Sequence, residues 1–142
     1  MNTRGPAPKP CASCPYRRDV PSGVWHPDEY TKLRRYDEDT SQQPAGLFIC
    51  HQTDAENDAR RVCAGWVGCH GDQLLGLRLA AINGAMTQDD ILACFNYRSP
   101  VPLFDTGADA AEHGTRDAMS PSAAAVNAGR KIIRRRRDIT RD

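Results

Sequence analysis

The placement of six cysteines constrains this chain more than any other feature of its sequence. Cys11 and Cys14 stand three positions apart, a spacing at which a single turn of chain can present two thiols to one ion. Cys50 and Cys63 follow from distant parts of the chain. Four such thiols complete the tetrahedral sulfur coordination of a structural metal site. The sequence therefore predicts a domain that closes around a metal ion or cluster.

The other cysteines and two histidines are weaker candidates. Cys69, His51 and His70 could serve as spare or substituting ligands, although a histidine beside a ligand cysteine more often supports that ligand by a hydrogen bond. Cys94 lies on the apolar face of a predicted helix, and we interpret it as a core residue, since unpaired cysteines are commonly buried. The predicted ligand set is thus the first four cysteines.

The spacing leaves the bound group open between zinc and a [4Fe–4S] cluster, because both bind four cysteines. A zinc ribbon normally has two Cys-x-x-Cys pairs, whereas this chain has one. Pro15 directly after Cys14 is compatible with an iron–sulfur cluster. We slightly favour zinc, on the frequency of such sites alone.

The composition favours a reducing compartment. The first ten residues hold four Pro or Gly and no apolar run, and no stretch approaches the ~20 apolar residues that a membrane span needs. We therefore expect a cytoplasmic protein with no membrane partner. In that compartment six cysteines indicate metal binding or redox chemistry, and a secreted disulfide scaffold is the alternative.

The hydrophobic pattern predicts a small, irregular, α-rich domain of the α+β class that is stapled by its metal. We expect a short strand near 46–50 and helices near 27–35, 73–83, 88–96 and 121–137. The segments divide into a flexible lead-in at 1–9, a cysteine-rich metal-binding domain at 10–98, a disordered linker at 99–120 and an Arg-rich helical tail at 121–142.

The basic residues are concentrated at the end of the chain, although the net charge is only +1. Such a cluster can neutralise several phosphates, so we expect it to contact nucleic acid or the transcription machinery. A solvated tail that keeps the protein soluble is the alternative. The candidate contact residues are Arg130, Lys131, Arg134, Arg135, Arg136 and Arg137.

The motifs together resemble the DUF6283 family of actinobacteria and their phages. They are Cys11-x-x-Cys14-Pro15-Tyr16-Arg17-Arg18-Asp19, Gly23-Val24-Trp25, Phe48-x-Cys50-His51 and Cys63-Ala64-Gly65-Trp66. The resemblance covers roughly residues 10 to 84. It implies that Cys11, Cys14, Cys50 and Cys63 are the motif cysteines of that family, and it implies no activity.

A weaker local similarity links the chain to the WhiB-like iron–sulfur regulators. The shared features are the Cys-x-x-Cys-Pro stretch, the Gly-Val-Trp turn and a basic C-terminal tail. The order of the cysteines differs, since no cysteine precedes Cys11. The similarity is a hint about cluster chemistry and does not imply membership.

The function that we expect is that of a metal-binding module with a binding or regulatory role and no catalytic residues. The alternative is a thiol-based redox or iron–sulfur sensor protein, in which Arg17 and Arg18 would lower the pKa of an attacking Cys11 or Cys14. Hydrolysis at an open metal site is a third interpretation, but it needs a vacant coordination position that the spacing does not demand.

Overall fold

The computed structural model describes residues 3–51 and 60–135, with the backbone alone for the last two. Six α-helices occupy these ranges: α1 (Pro27–Thr31), α2 (Ala64–His70), α3 (Leu75–Asn83), α4 (Gln88–Phe95), α5 (Gly107–Arg116) and α6 (Ala123–Arg135). Short 3-10 turns lie at Lys32–Asp37, Thr40–Gln42 and Gly71–Gln73. None of the helices in these ranges is both long and apolar enough to cross a membrane.

Local signals in the sequence explain where several helices begin and end. Proline is the first residue of α1, where its missing N–H costs nothing. The side chains of Thr87 and Thr106 accept hydrogen bonds from the first turns of α4 and α5. Gly84 ends α3 in the left-handed conformation at φ 78°. The helices predicted at 73–83 and 88–96 match α3 and α4 within two residues. The one predicted at 27–35 is α1 continued by the Lys32–Asp37 3-10 turn, and α6 occupies most of the described part of 121–137.

The main hydrophobic core is built around α2 and α3. Trp66 and Val67 of α2 and Leu77 and Ala80 of α3 are all buried. Each fully buried aliphatic or aromatic side chain contributes about 1.5–3 kcal/mol to folding. The same cluster contains three of the cysteines, Cys14, Cys63 and Cys94.

A second, smaller cluster anchors α6. Ala125 and Ile132 of this helix are buried against Val20 and Val24. These two valines come from the loop that follows the Cys-x-x-Cys turn. The predicted helical tail is therefore docked against the domain as far as Ile132.

Helix α5 lies inside the segment for which the sequence predicted a disordered linker at 99–120. It packs against α1 and the Lys32–Asp37 turn with Ala110 and Ala111 fully buried. A Cβ atom on Gly114 would overlap the ring of Tyr30, so the absence of a side chain lets the two elements meet. The segment is only weakly hydrophobic because it is built from small residues. These residues allow close packing, so the composition does not indicate disorder here.

Part of the segment predicted as a flexible lead-in, 1–9, is also packed against the domain. The backbone N–H of Thr3 donates to the Ala85 carbonyl at 3.1 Å, and Thr3 is buried. Gly5 donates to the carboxylate of Asp90 at 3.1 Å. These contacts tie the start of the described chain to α4 and the turn before it.

The predicted α+β class is wrong, because no strand forms among residues 3–51 and 60–135. The expected strand near 46–50 is reduced to a single antiparallel bridge between Ile49 and Val62. The pairing stops there because the chain enters α2 at Ala64, directly after Cys63. The domain is built from helices and irregular loops.

The predicted metal staple is also wrong as a description of the fold. In the part of the chain that the structure describes, no group of three or more Cys, His, Asp or Glu side chains is arranged to hold one metal ion. Two hydrophobic clusters hold the described part of the domain together in place of the predicted metal.

Candidate functional site

The Cys-x-x-Cys segment is folded into two consecutive turns that Arg17 stabilises. Cys14 donates its N–H to the Cys11 carbonyl at 3.0 Å, and Arg17 donates its N–H to the Cys14 carbonyl at 3.1 Å. The guanidinium of Arg17 donates to the Pro10 carbonyl at 3.0 Å and binds the Asp19 carboxylate through two hydrogen bonds of 2.7 and 2.8 Å. Arg17 therefore has a structural role in fixing the turn that carries both thiols.

The thiols of Cys14 and Cys63 form a buried pair. Their Sγ atoms lie 4.0 Å apart, and the two residues are 1% and 6% exposed. Gly65 makes this approach feasible, because a Cβ atom there would overlap the Cys14 sulfur and stand 2.9 Å from the Tyr16 Cβ. Gly65 thus allows α2 to pack directly on the Cys-x-x-Cys turn.

The bridge between Ile49 and Val62 positions Cys50 near the Cys14–Cys63 pair. The N–H of Cys50 donates to the Arg61 carbonyl at 2.8 Å, and the N–H of Cys63 donates to the Phe48 carbonyl at 2.8 Å. The two segments therefore run antiparallel, with Cys50 and Cys63 on opposite sides of the bridge.

Cys11 completes the group on its half-buried side. A hydrogen bond with Cys50 raises the pKa of the Cys11 thiol, and burial raises it further. His51 covers this thiol, since both of its ring nitrogens are 3.8 Å from the Cys11 sulfur. The same ring hydrogen-bonds through Nε2 to the Ser13 hydroxyl at 2.8 Å and contacts Trp25 edge to face.

The four predicted ligand cysteines are thus neighbours, arranged as two pairs, Cys14 with Cys63 and Cys11 with Cys50. Within the buried pair, the hydrogen bond from Cys63 lowers the pKa of Cys14, with help from the N–H groups of Tyr16 and Gly65. That same hydrogen bond raises the pKa of Cys63, and burial adds to the effect. Loss of the first proton from this pair therefore leaves the negative charge on Cys14.

The remaining sequence candidates divide between this cluster and other places. His51 lies beside Cys11, as described above. Cys69 and His70 line a different cavity with Asp37, and burial raises the pKa of Cys69 to about 12. Cys94 is buried in the main core, which agrees with its interpretation as a core residue.

The predicted contact residues of the basic tail are only partly described. Arg130 and Lys131 are exposed on α6. The side chains of Arg134 and Arg135, and all of Arg136 and Arg137, lie outside the described residues.

Sequence reasoning missed two groups around the thiols. It named neither Gly65 as the residue that admits the Cys14 sulfur nor Ser13 as the partner of His51. A glycine two positions after a predicted ligand cysteine is a usable signal, because close approach of the backbone to a neighbouring group is a common reason for glycine. Ser13 carried no such signal.

Comparison with known proteins gives one match. No curated protein matches the chain. No solved structure matches it either. The family of unknown function DUF6283 matches residues 6–137. This match covers most of the chain and confirms the resemblance found in its cysteine motifs, so the chain belongs to the DUF6283 family.

Proposed function

We propose that Cys11, Cys14, Cys50 and Cys63 bind one zinc ion, in a domain whose helices pack without it. Because no three of these thiols are arranged around one point in the described residues, the ion would have to draw the two pairs together as it binds. The observation that carries the proposal is the 4.0 Å separation of the Cys14 and Cys63 sulfurs. Two sulfurs bound tetrahedrally at about 2.3 Å from zinc are separated by about 3.8 Å. The buried pair is therefore close to the spacing that a zinc ion requires.

The electrostatics of the cluster favour a bound cation. Hydrogen bonds, with Cys50 and Cys14 respectively, raise the pKa of Cys11 and of Cys63, and burial and the neighbouring thiolates raise both further. A divalent ion reverses this effect, because its charge favours the thiolates and releases their protons. The Arg17 guanidinium, which is attracted to the thiolates of Cys14 and Cys11, is already engaged with Asp19. It therefore supplies little of that charge.

The surroundings would limit the access of water to such an ion. Cys14 and Cys63 are buried, whereas Cys11 and Cys50 are half-buried. An ion would therefore enter past the second pair, beneath the ring of His51. With four thiolates bound, no coordination position remains for a substrate, so the site would bind metal without catalysing hydrolysis.

Two alternatives share the same residues. A [4Fe–4S] cluster, as in the WhiB-like regulators, binds each cysteine to a different iron and so spaces the sulfurs more widely than one zinc ion does. A dithiol redox function would use the Cys14–Cys63 pair, which could close to a disulfide after a small movement. The 4.0 Å separation favours zinc over the cluster.

The test is metal analysis of the full chain purified anaerobically, together with Cys63→Ser and two controls. Cys94→Ser and Cys69→Ser remove a thiol outside the cluster. We expect one zinc per chain in the wild type and in both controls, and none in Cys63→Ser. Far-UV circular dichroism should show the same helix content before and after chelation.

Four results would count against the proposal. Wild-type protein without metal, or zinc retained by Cys63→Ser, would rule out the four-thiol site. Brown protein with iron and sulfide would replace zinc by a cluster. Metal-free protein that carries a Cys14–Cys63 disulfide under mild oxidant would indicate the redox function.

The docked helix α6 favours a second candidate function, contact with nucleic acid. Ile132 is buried against the domain, and the neighbouring Lys131 and Arg130 are exposed. Anchoring one face of a helix leaves its cations in a fixed orientation, which lowers the entropy lost when they bind phosphates. We propose that this basic end contacts nucleic acid or a protein bound to it, as a regulatory module would.

The test is binding to a labelled DNA duplex and to single-stranded RNA at several salt concentrations. Arg130→Ala with Lys131→Ala should weaken binding and reduce the dependence of the logarithm of affinity on the logarithm of salt by about 2. Arg78→Ala, which removes an exposed cation on α3, serves as the control. Equal binding by both variants would refute this role of the basic end.

A further inference from the structure

An imidazole ring covers the half-buried side of the thiol cluster. His51 directly follows Cys50, and its two ring nitrogens both lie 3.8 Å from the Cys11 sulfur. The ring therefore lies against this sulfur without aiming one nitrogen at it in preference to the other. A histidine that bound the same ion as Cys11 would direct a single nitrogen toward the metal, at about 2.0–2.1 Å from it. The ring is placed to cover the thiol and not to act as a further ligand.

Two side chains from another part of the chain hold this ring. The Nε2 atom of His51 shares a 2.8 Å hydrogen bond with the hydroxyl of Ser13, a residue that is 7% exposed. The ring also contacts Trp25 edge to face, with 4.7 Å between the ring centroids. Trp25 in turn donates from its indole Nε1 to the Ser13 carbonyl at 2.9 Å. The three residues therefore contact one another in a closed set.

The supports of the ring are anchored in the domain. Ser13 lies inside the Cys-x-x-Cys turn. The backbone N–H of Trp25 donates to the hydroxyl of Tyr30, a residue of α1 that is 2% exposed. The ring itself is held more weakly, because a neutral hydrogen bond and an aromatic contact each change an opening equilibrium by about two- to tenfold. Contacts of this strength allow the ring to open transiently while its supports stay in place.

The ring controls the accessible side of the cluster because the two thiol pairs differ in burial. Cys14 and Cys63 are 1% and 6% exposed, whereas Cys11 and Cys50 are half-buried. An ion or reagent from the solvent therefore meets the second pair first, and the His51 ring lies against one member of that pair. The rate at which the cluster exchanges with the solvent then depends on how often the ring opens.

We propose that His51 is a lid that controls the access of solvent species to the thiol cluster and so sets the rate of metal exchange. The metal in this inference rests on the zinc site proposed above, whereas the shielding of Cys11 needs no metal. A lid slows entry and exit by the same factor, the fraction of time that it is open, so the equilibrium affinity is preserved. Loss of a ligand would instead lower the affinity.

The first measurement uses the full chain, reduced and free of metal. It reacts with iodoacetamide, in which a cysteine sulfur displaces iodide, and mass spectrometry follows the alkylation of Cys11. His51→Ala removes the hydrogen bond and the aromatic contact, and it should speed this alkylation about tenfold or more. Ser13→Ala removes the hydrogen bond alone and should speed it about threefold.

The second measurement uses the zinc-loaded full chain. Transfer of zinc to excess 4-(2-pyridylazo)resorcinol gives the exit rate, and competition with the same chelator at equilibrium gives the affinity. His51→Ala should release zinc about tenfold faster, with an affinity within about threefold of the wild type.

His113→Ala is the matched control for both measurements. The His113 ring, in α5, also makes one hydrogen bond, to the Val20 carbonyl at 2.7 Å, and one ring contact, with Phe104 at 5.1 Å between centroids. Its removal therefore costs the fold similar contacts, and both rates should stay at the wild-type values.

The lid is overturned if His51→Ala alkylates Cys11 no faster than the wild type does. It is also overturned if His113→Ala speeds both reactions equally, because general destabilisation would then explain the effect. A zinc affinity that falls by the same factor as the exit rate rises would make His51 a ligand and not a lid. Wild-type protein that binds no zinc refutes the zinc site instead, and the alkylation rates then decide whether His51 shields Cys11.

Discussion

Replacing Gly65 by alanine tests whether the packing of α2 on the Cys-x-x-Cys turn positions the thiols. The added Cβ would overlap the Cys14 sulfur and stand 2.9 Å from the Cβ atom of Tyr16. The Tyr16 Cβ moves only with its backbone, and Cys14 is itself buried, so neither neighbour can yield cheaply.

The expected magnitude follows from two opposing effects. Overpacking a buried site costs about 1–3 kcal/mol, and two overlaps place this case near the upper end. Alanine gains about 1 kcal/mol over glycine in a helix. The free energy of unfolding should therefore fall by about 2 kcal/mol. Zinc affinity should fall as well, because the sulfur of Cys14 must leave its position.

Urea unfolding followed by the fluorescence of buried Trp66 measures the change, and Gly46→Ala provides the control. Nothing lies within 4 Å of a Cβ at Gly46, so that variant should remain within about 0.5 kcal/mol of the wild type. If Gly65→Ala were instead more stable than the wild type by about 1 kcal/mol, helix propensity alone would account for it. The close approach of α2 to the thiols would then be refuted.

Three further predictions concern the fold. Leu77→Ala on α3 should lower the free energy of unfolding by about 2–5 kcal/mol, because the side chain is fully buried. Ile82→Ala on the same helix, where the side chain is 83% exposed, should change it by less than about 0.5 kcal/mol. Similar urea midpoints for the two variants would contradict the assigned core. Asp37→Ala should cost about 1–2 kcal/mol, since it removes both acceptors at the start of α5, and unchanged hydrogen exchange in α5 would argue against this capping role. The pKa of His70 is lowered to about 4, below its unfolded value of about 6.5, so its stability contribution of up to about 3 kcal/mol is present above pH 6.5 and is lost as the pH falls to 4. Urea midpoints between pH 4 and 7 should therefore vary less in His70→Gln than in the wild type, and identical slopes would contradict the buried neutral ring.

The sequence predicted the helices that carry conventional signals. Pro27, Thr87 and Gly84 each mark a helix end in the way that backbone sterics and capping dictate. It also predicted the neighbouring positions of the four cysteines, because the spacing of thiols points to convergence whatever the surrounding fold. These are features that a few adjacent residues, or one residue type, can determine.

The sequence did not predict α2 or α5, for one shared physical reason. Each of these helices contains two glycines, which lower its helix propensity, so the sequence pattern of each segment predicts a loop. They are Gly65 and Gly68 in α2 and Gly107 and Gly114 in α5. The glycines allow close contacts with distant parts of the chain, and a local sequence pattern carries no information about those contacts. The apolar run before Cys50 likewise predicts a strand where only the bridge of Ile49 with Val62 forms, because the run does not reveal where its partner segment ends.

The contact of the first described residues with α4 has a consequence for the order of events during synthesis. Gly5 binds Asp90, 85 positions later, and Cys14 pairs with Cys63 across 49 positions. At about 5–20 residues per second, the ribosome needs about 2 to 10 s to advance from Cys14 to Cys63. For that interval both N-terminal thiols are present on a chain that cannot yet bury them. An oxidant or metal ion present during synthesis can therefore react with these thiols before folding buries them.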